Sequence, residues 1–129
     1  MQYKVVYPGW MPTMNDYTDA NRESVYAGSR MKKRNQQSLW WFIRAQLPPF
    51  VKIKTPIRIH YTYYERNRKR DHDNVAGFVH KVFQDALVEL KYLENDGWSD
   101  ICGFTDEFMY DRDEPRIEFI IEEVTGNDY

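Results

Sequence analysis

The chain has 129 residues, with 18 Lys and Arg against 20 Asp and Glu for a net charge of −2. That length suits one domain with a real core, and a 42% hydrophobic, 16% aromatic composition excludes wholesale disorder. No apolar run nears the roughly 20 residues of a membrane span and no signal-peptide pattern opens the chain, so no membrane partner is expected. The single Cys102 excludes an internal disulfide and a cysteine knuckle, and fits a reducing cytoplasm.

The small net charge hides a strong asymmetry. From Arg22 to Lys81 there are 14 Lys and Arg against 4 Asp and Glu, whereas Val82 to Tyr129 holds 3 against 14. A basic half of this kind is a face for a polyanion. The plainer alternative is two solvated faces with no partner.

In chain order, Gln2 to Tyr7 reads as a strand, rich in β-branched and aromatic residues. Pro8-Gly9 and Pro12 then mark a loop through Arg22 in which Trp10, Asn15, Tyr17 and Arg22 could face a ligand, although an ordinary packed surface loop is the favoured reading. Ser29 to Leu47 is expected to be helical, capped by Ser29, with Leu39, Trp40, Ile43 and Leu47 facing the core and Pro48-Pro49 ending it. Its first turns carry Arg30, Lys32, Lys33 and Arg34, a possible phosphate grip.

Ile57 to Tyr64 reads as a strand with Ile57, Ile59, Tyr61 and Tyr63 on one face, and His60 as a packed or hydrogen-bonded histidine. It leads into Arg66, Arg68, Lys69 and Arg70, followed at once by Asp71 and Asp73. Val75 to Leu90 is the best helix, with Val75, Val79, Val82, Phe83, Ala86 and Leu90 on one face and Asp73 as its natural N-cap. Gly77 weakens the first turn by about 1 kcal/mol relative to Ala, which argues for a later start. Glu94 to Gly97 is a turn, and Ile101–Tyr110 and Arg116–Val124 are two more strands. Thr125 to Tyr129 is expected to fray. This order gives one α/β (α+β) domain over residues 1–129, a mixed β-sheet packed against two helices.

Phosphodiester hydrolysis needs an activated water, a stabilised oxyanion and a neutralised leaving oxygen. Mg2+ supplies all three when one or two carboxylates hold it and leave water positions open. In an extended or turn segment Asp71 and Asp73 project to the same side, and Asp96 beyond the helix is placed to add a third carboxylate. Lys81 would stabilise developing charge. The alternative is an N-cap plus a salt bridge to Arg70.

The run RKRDHDN, then Lys81, Asp85-Ala86-Leu87 and Asn95-Asp96, resembles the RusA family of Holliday-junction resolvases, common in phages and prophages. Pro12-Thr13-Met14-Asn15 is similar to that family's N-terminal Pro-x-x-Asn loop. Asp96-Gly97-Trp98 with Ile101, and Pro115 to Glu118, resemble its phage branch. The likeness spans nearly the whole chain. It implies a RusA-like fold and a homodimeric, Mg2+-dependent endonuclease, with Mn2+ as a substitute ion, that makes paired nicks in four-way DNA junctions. By the motif match Asp71, Asp73 and Asp96 would be the metal-binding catalytic carboxylates and Lys81 the essential basic residue. The family's lysine stands four residues after the second aspartate, where this chain has Gly77. Counting back from Asp85 and Asp96 places it at Lys81 instead. The family's Asp-Asp pair here reads Asn95-Asp96, with Asp100 as a possible substitute carboxylate. Two other readings are a non-catalytic DNA-binding module and a nuclease acting on RNA or other branched DNA.

Overall fold

The computed structural model describes residues 1–49 and 51–124. Within them the chain forms β1 (Gln2–Pro8), α1 (Met14–Glu23), α2 (Val25–Gln46), β2 (Ile57–Glu65), α3 (His72–Glu89), β3 (Ile101–Tyr110) and β4 (Arg116–Glu123). The strands make one mixed sheet in the order β1-β4-β2-β3. β4 runs antiparallel to both β1 and β2, whereas β2 and β3 are parallel. Parallel neighbours need a crossover, and α3 supplies it as the helix of a β2-α3-β3 unit.

Strict alternation decides which face of the sheet is covered. Val5 and Tyr7 on β1, Ile57, Ile59, Tyr61 and Tyr63 on β2, and Ile117, Phe119 and Ile121 on β4 are all buried. Against them lie Leu39 and Ile43 of α2 and Val75, Phe78, Val79, Val82, Phe83, Ala86 and Leu87 of α3. Phe83 stacks on Phe119 at 4.0 Å and meets Tyr61 edge-on at 5.9 Å, tying α3 to the two central strands. The other face carries charge instead. Lys4 and Arg116 both pair with Glu118, Arg58 and His60 with Glu122, and Arg116 lies over the Tyr64 ring. His60 also shares a 2.7 Å hydrogen bond with Thr105, so it is a hydrogen-bonded surface histidine.

The α+β class and the mixed sheet are as expected, with one helix more. The stretch read as a loop through Arg22 contains α1, because Thr13 and Asp16 form a capping box. The Thr13 Oγ1 accepts from the Asp16 amide at 3.2 Å while the Asp16 carboxylate accepts from the Thr13 amide at 2.8 Å. α2 starts at Val25 because Ser24, not Ser29, is its N-cap, accepting from the Ala27 amide at 3.0 Å. α3 starts earlier than predicted, not later: its N-cap is Asp71, and Asp73 lies inside the first turn. Gly77 does not delay it, because the glycine has a packing reason. A Cβ built there would sit 2.8 Å from Met14 Cγ, so α1 closes onto α3 at that point. The expectation for Thr125 to Tyr129 falls outside the described residues. No helix among the described residues is long and apolar enough to cross a membrane.

Candidate functional site at the start of α3

Where β2 ends, the chain turns through residues 66–71 and enters α3. Asp71 has extended dihedrals (φ −71°, ψ 139°) yet its side chain makes no capping hydrogen bond. Asp73 follows in the first helical turn, and both are exposed. They do not sit on one face of an extended segment, since Asp73 is already helical. They meet instead at the positive end of the helix dipole, where a carboxylate is favoured. Among the described residues neither carboxylate has a hydrogen-bond or ion-pair partner. The salt bridge to Arg70 of the alternative reading is absent among the described residues: Arg70 makes a bidentate pair with Glu65 at 2.8 and 2.9 Å.

The cations beside them are partly structural. Arg70 also donates to the Met11 carbonyl at 2.6 Å, fastening the N-terminal loop to the site. Trp10 is flanked by two guanidinium groups, Arg66 at 4.3 Å and Arg70 at 4.2 Å from its ring centroid. Arg68 lies 5.2 Å over Tyr110. Lys69 is exposed and, with Arg66 and Arg68, forms the outward rim of the loop. Asn15, Tyr17 and Arg22, expected in a loop, lie in α1: Tyr17 is packed on Phe78 at 5.8 Å, while Asn15 and Arg22 are exposed.

Asp96 is elsewhere. α3 has 18 residues, about 27 Å at 1.5 Å per residue, and Asp71 and Asp73 stand at its start. Asp96 follows its end and lines a groove with Gln36, Asp85, Val88, Glu89 and Asn95. One chain therefore does not bring the three aspartates together. Among the described residues no three His, Cys, Asp or Glu converge in a metal-holding group. Asp100, the substitute, is buried and engaged: its carboxylate accepts from the Asn95 amide at 2.8 Å, while the Asn95 side chain accepts from the Gly97 amide. Lys81 is exposed, about 12 Å along the helix from Asp73. On α2, Lys32 pairs with Asp85, while Arg30, Lys33 and Arg34 are exposed.

Sequence reasoning missed a cluster beside Asp73. An open groove of about 410 Å³ is lined by His72, Asp73, Ala76, Gly77, His80, Asp106 and Phe108. Asp106, on edge strand β3, accepts from the Tyr63 hydroxyl at 2.8 Å and shares a 2.7 Å hydrogen bond with His80 Nε2. Burial pushes the Tyr63 hydroxyl far above its usual range, helped by the hydrogen bond to Asp106, so this phenol remains a donor. The signal lay in the strand pattern. Phe104, Asp106 and Phe108 alternate toward α3, and a carboxylate between two aromatics at an inward position needs partners.

A scan against protein-family models finds none that matches this chain, and no curated protein matches it either.

Proposed function

We propose that this chain is a Mg2+-dependent endonuclease of branched DNA that acts on four-way junctions in recombination and repair, as its resemblance to the RusA resolvases implies. The observation that carries the proposal is the pair Asp71 and Asp73: two carboxylates at one helix start, unpartnered among the described residues and set beside a run of cations. Mg2+ is held by one or two carboxylates plus waters and substrate phosphates, and this donor set fits it; Mn2+ takes the same oxygen donors. Such an ion lowers the pKa of water and offsets the charge of the diester.

The protein's own part is positioning. Arg66, Arg68 and Lys69 on the rim bind backbone phosphates near the aspartates, while Arg30, Lys33 and Arg34 of α2 offer a second basic patch beside the later turns of α3, where Lys32 pairs with Asp85. Lys81 stands two turns from Asp73 as a further phosphate contact. Asp96 enters the site from a second copy of the chain, since its place past the end of α3 separates it from Asp71 and Asp73 of its own. A two-fold dimer then carries two sites for paired cuts. The lone Cys102, whose thiol donates to the Ile57 carbonyl at 3.3 Å, suits a reducing cytoplasm.

The rival reading, a DNA-binding module without chemistry, draws on the lack of a three-ligand cluster in one chain. A labelled synthetic four-way junction separates the two. With Mg2+, paired nicks are expected from the native protein, and Asp73→Asn should abolish them while junction binding persists. Salt-sensitive binding with no nicking by the native protein under any divalent ion would establish the binding module. Cleavage of RNA in preference to branched DNA in the same assay would shift the substrate.

A further inference from the structure

The groove beside Asp73 holds a second chemical unit. His80 lies two turns after Asp73, about 10 Å along the axis of α3. Gly77 stands between them and lines the same groove. Helical side chains lean toward the N-terminus, which carries the His80 imidazole from its own turn toward Asp73. The ring is held on its flanks by Tyr61 at 4.3 Å and Phe104 at 4.5 Å. Its Nε2 is fixed by Asp106, and Asp106 is fixed in turn by Tyr63. A carboxylate that accepts at Nε2 selects the tautomer with the proton there, leaving Nδ1 as an acceptor. The pair is mostly covered, with side chains 17% and 23% exposed. An oriented imidazole with one nitrogen tied to a carboxylate is the geometry of a general base.

We propose that His80 is a catalytic general base for diester hydrolysis and that Asp106 is its positioning residue; the assignment rests on the endonuclease reading above. Water attacks phosphorus, forming one P–O bond, and its proton passes to His80 Nδ1. The bond from phosphorus to the leaving deoxyribose oxygen breaks, that oxygen takes a proton from solvent, and the imidazolium returns its proton to solvent. The ionisable groups facing the imidazole are Asp106 from β3 and Tyr61 and Tyr63 from β2, with Asp73 and His72 of α3 along the same groove.

The test has two parts. In the metal-free protein, 15N imidazole shifts should show His80 protonated at Nε2 at neutral pH, and Asp106→Asn should disturb that preference. On junction DNA with Mg2+, His80→Ala should lower kcat by about 100- to 10,000-fold with junction affinity unchanged. Added imidazole should restore part of the rate, and the acid limb of the native pH–rate profile should be missing in the variant. Should His80→Ala fold poorly, His80→Gln keeps a donor to Asp106 and should show the same loss. Native-like cleavage by either variant overturns the proposal, as does an unrescued loss with the acid limb intact. A native protein that cleaves nothing removes the endonuclease reading itself.

Discussion

At the scale of single residues, the informative carboxylates differ in what holds them. Asp71 and Asp73 have no partner among the described residues, whereas Asp111 is fully engaged at the turn joining β3 to β4. Its Oδ1 accepts from the amides of Asp113 at 3.2 Å and Glu114 at 3.0 Å, and its Oδ2 from Arg116 at 2.9 Å. The Glu114 amide, then the Arg116 guanidinium, hold its carboxyl below the ordinary 3.8. A depressed folded value means stability that is present above pH 3.8 and is lost as pH falls through the folded value. Asp111→Asn keeps an oxygen for the two amides but removes the charge facing Arg116. The native protein should therefore melt slightly above the variant at neutral pH, and the difference should close on acidification below about pH 4. Melting curves from pH 2 to 7 measure it, and a gap that stays constant with pH would contradict the assignment. This contrast also shows what the sequence could not reveal, since an Asp-x-Asp and an Asp-x-Asp-Glu look alike until the partners are known.

At the scale of elements, the contact of Gly77 with Met14 tests how α1 is built onto α3. Replacing glycine by alanine inside a helix ordinarily stabilises by about 1 kcal/mol. At Gly77 the new methyl meets Met14 Cγ at 2.8 Å, so the Met14 side chain has to shift. Overpacking of this kind costs about 1–3 kcal/mol, so Gly77→Ala should be neutral to destabilising by about 2 kcal/mol. In a Met14→Ala background the same change should be stabilising, a sign reversal that denaturant unfolding can resolve. A full stabilisation in the native background would show that α1 does not press on α3. Any side chain at this position must displace Met14. The alternation of Ile57 to Tyr63 and of Ile117 to Ile121 made both central strands legible, and the apolar stripe of α3 did the same for its packing. α1 was hidden by the Pro-Gly punctuation before it, although Thr13 and Asp16 already spelled its capping box. The start of α3 was misplaced because Asp73 was assigned the cap that belongs to Asp71.

At the scale of the molecule, one topological fact governs the site. Because β2 and β3 are parallel neighbours, α3 must run the length of the sheet, and its two ends cannot meet. The separation of Asp96 from Asp71 and Asp73 was not legible, because a motif gives order along the chain and a crossover helix gives distance. The 18-residue length of α3 was the available clue. If Asp96 acts with the Asp71 and Asp73 of a second copy, two variants defective alone should repair each other. Asp73→Asn and Asp96→Asn homodimers each carry two defective sites. A heterodimer of the two concentrates both changes in one site and leaves the other native. Co-refolding equal amounts should give about half heterodimer on random pairing, and it should nick one strand of a labelled junction without resolving it. Each variant alone should do neither. An inert mixture, with heterodimer verified by a size tag, would place Asp96 outside a shared site. A protein that sediments as a monomer at assay concentration would remove the dimer on which the composite site depends.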